Sequence, residues 1–280
     1  MTRIEEHVLG DIVARRYCPT PEPEYALVVS HGLGGHGDMY DRFGTHHAAR
    51  GVDVWSYHAP GHGKSAKTRP KGQFTLEEWA RASVDYAEHV AATTGVPVFV
   101  VGSSLGVAAT YSALACDAAK GAILMGAATV PGSPFLERLA EPLRSPALDV
   151  LVATYGRSMR LDLDIFVDYD TDYGYDGAAA QKKLDPWITW SYDLASWMSL
   201  ARYQPPVPIG ENTKPILVIA GDQDVMFPPD TIREAAAAIA GPVDVEILPD
   251  GSHQLLMFDT QRFSDAVDVF VRRHIDSPTP

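Results

Sequence analysis

A serine hydroxyl attacks a carbonyl at neutral pH only when an imidazole takes its proton and a carboxylate orients that imidazole. Three separated stretches of this chain offer the three groups. In "VFVVGSSLGVAATYSALA" the pattern G-x-S-x-G fits one frame only, Gly102, Ser103, Ser104, Leu105 and Gly106, because Val101 blocks the frame centred on Ser103. Average composition produces this pattern in about one chain in ten of this length, so its setting has to carry the argument. It follows an apolar run and opens an alanine-rich one, the sharp strand-to-helix turn that lifts a serine Oγ above a sheet. Ser104 is therefore the candidate nucleophile, and Ser103 is a packing or hydrogen-bonding neighbour. In this architecture the acid follows the serine and the histidine comes last. "AGDQDVMFPP" offers Asp222 and Asp224, and "PDGSHQLL" offers His253; His274, in the closing helix, reads as a solvated end residue. Backbone N–H groups must also face the developing oxyanion. "VVSHGLGGHG" ends an earlier apolar run in glycines, so the N–H of Leu33 joins that of Leu105, the residue after the nucleophile.

These groups need a scaffold, and the chain supplies one. "YALVVSHG", "GVDVWSYHAPGHG", "VPVFVVG", "GAILMG", "KPILVIAGDQD" and "VDVEILPDGSH" read as short strands, mostly apolar throughout. Helical stretches alternate with them, among them "FTLEEWARASVDYAEHVAATTG", with a start signal at Thr75 and a stop at Gly95. Strands apolar along their whole length and separated by helices predict a mostly parallel sheet with helices on both faces. "RIEEHVLG" and "DIVARRYC" add a polar-flanked strand pair at the amino end. The alternation stops between about residues 127 and 212, where proline, aspartate and aromatics concentrate. We read residues 1–126 and 213–280 as the core and 127–212 as an inserted lid. Within it "LDPWITWSYDLASWMSLARY" reads as helical, placing Trp190, Leu194, Trp197 and Met198 on one face. Trp187, Trp190, Trp197 and Met198 are accordingly the candidate apolar contacts to substrate.

Several patterns fail on inspection. "HAPGHGKSA" has His58 where a phosphate-binding loop needs its first glycine. "DYDTDYGYDG" alternates Asp168, Asp170 and Asp172 as a calcium loop would, but Tyr173 stands where glycine is needed and Ala179 where a bidentate glutamate is needed. The histidines at 31, 36, 46, 47, 58 and 62 lack the companion ligands of a zinc site, so neither a metal nor another cofactor is expected. A net charge of −13 over 280 residues repels nucleic acid and anionic lipid. Only Cys18 and Cys116 are present, and no disulfide is expected between them. The acidic start "MTRIEEHVLGDIVARR" lacks a signal peptide's basic end and apolar run, and no segment has the apolar length of a membrane span. The expectation is a cytoplasmic enzyme acting on a small molecule.

Taken together, "SHGLGGHGDMY", "YHAPGHGKSA", "VVGSSLGVAA", "AGDQDVMFPP" and "GSHQLL" resemble, in order and over nearly the whole chain, the α/β-hydrolase family and its monoacylglycerol lipase and lysophospholipase-like branch. The resemblance implies the α/β-hydrolase fold with an inserted lid. Its G-x-x-D-x-x-x-P pattern aligns with Gly221, Asp224 and Pro228, which selects Asp224 as the acid over Asp222. It also implies a structural role for Gly61, His62, Gly63 and Ser65. Two positions depart from the branch: Ser103 stands where histidine is common, and Val107 replaces a third glycine. Neither touches the triad. The expected activity is a serine hydrolase cleaving uncharged carboxylic esters with an apolar acyl part, through an acyl-enzyme. A thioesterase or a carbon-carbon bond hydrolase would use the same triad, and a silent binding protein would not keep it.

Overall fold

The computed structural model describes residues 2–276. A hairpin pairs β1 (Arg3–Leu9) with β2 (Ile12–Cys18), and β2 runs antiparallel to β4 (Val52–Tyr57). Beyond β4 every pairing is parallel, through β3 (Tyr25–Ser30), β5 (Val98–Ser103), β6 (Ala119–Met125), β9 (Ile216–Gly221) and β10 (Val243–Leu248). The eight strands lie in the order β1-β2-β4-β3-β5-β6-β9-β10. The mostly parallel sheet with helices on both faces is therefore as expected.

The central strands are mostly apolar because they serve two cores. Ala26, Val28, Val98 and Val100 enter one cluster, beneath α2 (Leu76–Thr94), α3 (Gly106–Ser112) and α9 (Pro229–Ala238). Their neighbours Leu27, Val29, Phe99 and Val101 enter the other, beneath α1 (Asp41–Ala48), α10 (Leu255–Phe258) and α11 (Thr260–His274). Alternate side chains of a strand point to opposite faces, so a strand covered on both sides has few positions for a polar residue, and the buried Asp53 of β4 is paired with Arg16. The longest helix, α2, begins where its sequence signals place it. The Thr75 hydroxyl accepts from Glu78 N–H at 3.2 Å, and the Glu78 carboxylate accepts from Thr75 N–H at 2.9 Å. It ends at Gly95, whose φ of +69° lies in the left-handed region open to glycine.

Strands β6 and β9 are sheet neighbours, yet some ninety residues of chain separate them. That segment holds α4 (Pro134–Ala140), α5 (Pro146–Tyr155), a ribbon of β7 (Arg160–Asp162) and β8 (Ser191–Asp193), and the short helices α6 (Tyr169–Tyr173), α7 (Ala178–Lys182) and α8 (Leu194–Arg202). The aromatic stretch expected to be one helix is not one. Its helical part starts at Leu194, because the buried Asp193 carboxylate caps it, accepting from Ser196 N–H at 2.8 Å. Residues 191–193 pair instead as β8, and Trp190 O accepts from Leu163 N–H at 2.7 Å. Trp190 therefore does not share a helix face with Leu194, Trp197 and Met198. Aromatic spacing alone could not register the cap and the ribbon that compete for this backbone. Cys18 and Cys116 are free thiols, and no helix among the described residues is long and apolar enough to cross a membrane.

Candidate active site

Ser104 sits between the end of β5 and the start of α3 with φ at +51°, one of two non-glycine residues in the left-handed region among the described residues. Holding a serine there costs about 1–3 kcal/mol, which the surroundings must supply. Three hydrogen bonds fix it: Ser104 N–H donates to Met125 O at 2.7 Å, while Ser104 O accepts from the Thr129 hydroxyl at 2.8 Å and from Val107 N–H at 3.0 Å. The turn closes only because its flanks lack side chains. A Cβ on Gly106 would lie 2.2 Å from His31 O, and one on Gly102 would lie 2.7 Å from Val107 Cα. Ser103, one residue back, is buried and hydrogen-bonds with the Tyr40 hydroxyl.

The acid and the histidine leave adjacent strands. Asp224 follows β9, and its Oδ1 accepts from Met226 N–H and Phe227 N–H, both at 2.9 Å. These bonds aim Oδ2 at His253, in the loop after β10, whose Nδ1–H donates to it at 2.8 Å. With the proton held on Nδ1, the other ring nitrogen is the acceptor. Both side chains are buried. Burial disfavours the imidazolium, yet the hydrogen bond and charge of Asp224, with Asp172 behind them, outweigh it and hold the His253 pKa above its ordinary 6.5. Asp222 is exposed, and its carboxylate accepts from the side-chain amide of Gln223 at 3.1 Å. The structure thus brings Asp224 to His253 and leaves Asp222 in solvent.

Ser104, Leu33, Leu105 and His253 line one cavity of about 140 Å³. The glycine turn that carries Leu33 is braced by groups from three directions. His31 Nε2 accepts from Ala59 N–H at 3.0 Å, which leaves Nδ1–H to donate to Gly32 O at 2.7 Å. The Tyr192 hydroxyl accepts from Gly34 N–H at 2.6 Å and bonds with His62 Nε2 at 3.0 Å. The histidine-rich motifs thus act here as fixed backbone and hydroxyl partners. Tyr192→Phe removes one brace without emptying the site. Its turnover should fall about tenfold with unchanged secondary structure by circular dichroism. A variant as fast as the parent would show that the turn holds itself.

A second, apolar cavity of about 320 Å³ opens beside the first and shares Leu33, Leu105, Thr129, Val167, Met226 and Phe227 with it. Of the four candidate apolar contacts, Trp197 lines this groove, with Phe166 4.9 Å from it ring to ring. Met198 is buried and does not line the groove, and Trp190 stands edge-on to Tyr169 at 5.4 Å. Trp187 lies outside, beneath the ammonium groups of Lys64 and Lys71 at 5.9 and 5.8 Å. Tyr169, Asp172, Lys182 and Gln254 also line the cavity, a role that the sequence reading does not assign them. The alternating acids of the false calcium loop were the available signal. Asp168 caps α6, Asp170 accepts from Gly177 N–H and Ala179 N–H, and Asp172 alone turns into the cavity.

Residues 21–261 match the family described as Serine aminopeptidase, S33. A monoglyceride lipase homolog of monkeypox virus is 32% identical over 111 residues, a match spanning 38% of this chain and 38% of the viral protein. Among solved structures, a thermostable carboxyl esterase from Bacillus coagulans superposes with a TM-score of 0.76 at 18% identity, covering 98% of this chain and 99% of that one. A monoglyceride lipase from Saccharomyces cerevisiae superposes with a TM-score of 0.71 at 15% identity, covering 100% and 96%. At such identities the superpositions establish the α/β-hydrolase fold, and the match over most of the chain establishes more: this protein belongs to the Serine aminopeptidase, S33, family.

Proposed function

We propose that the chain hydrolyses uncharged carboxylic esters through an acyl-enzyme on Ser104. The observation that carries this reading is the His253–Asp224 hydrogen bond of 2.8 Å, buried at the wall of the cavity into which Ser104 projects. His253 Nε2 takes the Ser104 proton as Oγ adds to the acyl carbon. The N–H groups of Leu33 and Leu105 receive the oxyanion, and the same imidazole returns the proton to the departing alcohol. Water repeats the sequence to release the acid. Residues 127–212 act as the lid over this cavity, and the groove under Trp197 takes the acyl chain. The direct test is a turnover panel of esters, thioesters and monoglycerides with the intact protein and a Ser104→Ala control. Thioester or carbon-carbon cleavage without ester turnover would replace this reading.

Two measurements follow from the geometry. The apolar groove predicts that kcat/KM rises roughly fourfold for each methylene added to a nitrophenyl ester, at about 0.8 kcal/mol each, until the groove fills. A flat series from acetate to laurate, or an optimum at acetate, would place the acyl chain elsewhere. For pH, only neutral His253 accepts the serine proton. Because Asp224 holds its pKa up, the acid limb of kcat/KM should have its midpoint above 6.5, with activity lost as pH falls through it. A midpoint well below 6.5 would mean that another group titrates.

A further inference from the structure

Within the glycine-rich stretch 32–37 only Leu33 and His36 carry side chains. Glycines leave a backbone free to wander, so the turn that presents the Leu33 N–H has to be held from outside. His36 is buried and lies face to face with His58, ring centres 5.7 Å apart. Its Nε2–H donates to the Asp185 carboxylate at 2.8 Å, and its Nδ1 is buried with no partner among the described residues. Burial holds the His36 pKa below its ordinary 6.5 against the pull of Asp185, so at neutral pH the ring is neutral and serves as a donor to that carboxylate. Asp185 stands at a corner between α7 and β8. Its other oxygen accepts from Trp187 N–H at 2.8 Å, the Lys71 ammonium donates to Pro186 O, and the Trp187 ring lies beneath Lys64 and Lys71. The chain then runs back along the oxyanion turn. Thr189 N–H donates to Gly34 O at 3.2 Å, and the Tyr192 hydroxyl accepts from Gly34 N–H at 2.6 Å.

We infer that residues 185–192 form a strap that sets the oxyanion hole, and that Asp185 is a positioning residue acting through His36 and Gly34 on the Leu33 N–H. The inference rests on the ester-hydrolase reading above and goes beyond the Tyr192 brace by naming what anchors the segment that carries it. Three bonds join the strap to the turn, at His36 and at both main-chain groups of Gly34, the residue next to the donor. The fit is close: Gly34 has φ at +73°, and a Cβ there would lie 2.7 Å from the Tyr169 hydroxyl and 2.8 Å from Leu163 Cδ2. An oxyanion donor stabilises developing charge only if it is already in place when the charge forms. A strap that lifts from the turn takes that placement away, so turnover requires the strap to be seated. Asp185 itself does not line the Ser104 cavity, and an effect of its loss on the chemistry has to travel through the turn.

Asp185→Ala should lower kcat on a nitrophenyl ester about tenfold, against the hundredfold or more of losing an oxyanion donor outright. KM should change by less than about twofold, since the donor acts in the transition state. Asp185→Asn, whose amide can bond the imidazole in either tautomer, should recover most of the loss. Two inhibitors separate this role from a merely structural one. With hexyl trifluoromethyl ketone, Ser104 Oγ adds to the carbonyl carbon, its proton passes to His253, and the carbonyl oxygen becomes the oxyanion; 2-octanol forms no oxyanion. Asp185→Ala should reduce the preference for the ketone about tenfold and bind the alcohol as the parent does. Hydrogen exchange read by mass spectrometry should be faster over residues 31–37 in this variant and unchanged over β5 and α2. Should Asp185→Ala fail to fold, Lys71→Met, which removes the donor to Pro186 O and one of the two ammonium groups over Trp187, should shift the same readouts in the same direction, by about threefold. An unchanged ketone preference, or exchange over residues 31–37 equal to the parent's, would overturn the inference. Absence of ester turnover by the intact protein would instead strike the ester-hydrolase reading. In that event hydrogen exchange still decides, because faster exchange confined to the turn supports the strap and equal exchange refutes it.

Discussion

Ser104→Ala is expected to lower turnover by about 10⁵ to 10⁶ and to abolish labelling by a fluorophosphonate, with the fold unchanged. Loss of the nucleophile in a triad removes the covalent route entirely, leaving only what the oxyanion donors and binding supply. The size of the effect follows from how much of the site exists to present one hydroxyl. The left-handed φ of Ser104, the bonds to Met125, Thr129 and Val107, and the bare flanks at Gly102 and Gly106 all serve that presentation. Ser103→Ala is the control, since Ser103 is buried against Tyr40 and its loss should cost far less. Intact-mass and peptide analysis of the labelled protein decides it. A label that persists in Ser104→Ala and disappears in Ser103→Ala would reassign the nucleophile.

The second large effect is expected at Asp224. Asp224→Asn should reduce kcat by about 10⁴, because an amide no longer holds the imidazole in the tautomer that accepts a proton. Asp222→Asn, at an exposed position, should stay within about twofold. Asp224→Asn should also move the acid limb of the pH profile down, since the charge that holds the His253 pKa up is gone. Melting temperatures of both variants separate chemistry from folding: the two main-chain bonds to Asp224 Oδ1 can still be accepted by the amide oxygen of asparagine. If both variants fold and Asp222→Asn is the slower, the orienting role belongs to the other acid.

What the sequence determines by itself here is whatever depends on near neighbours in the chain. The mostly apolar strands require burial on both faces. Thr75 and Gly95 bound a helix through bonds made within a few residues, and the glycines around Ser104 mark a turn too tight for side chains. Each is a local consequence of covalent geometry and hydrogen bonding, legible without coordinates. What only the tertiary structure decides is whatever depends on distance between remote segments. Turn chemistry treats Asp222 and Asp224 alike; the resemblance chooses between them, and the physical difference is that one meets an imidazole 29 positions along the chain while the other faces water. Asp193 ends the supposed long helix through a cap, and the ribbon formed with residues 160–162 takes the backbone that aromatic periodicity assigns to that helix. Asp172 and Lys182 look like solvated charges in an acidic loop. They enter the cavity because α6 and α7 fold back beside Gln254, next to His253, and no spacing along the chain encodes that approach.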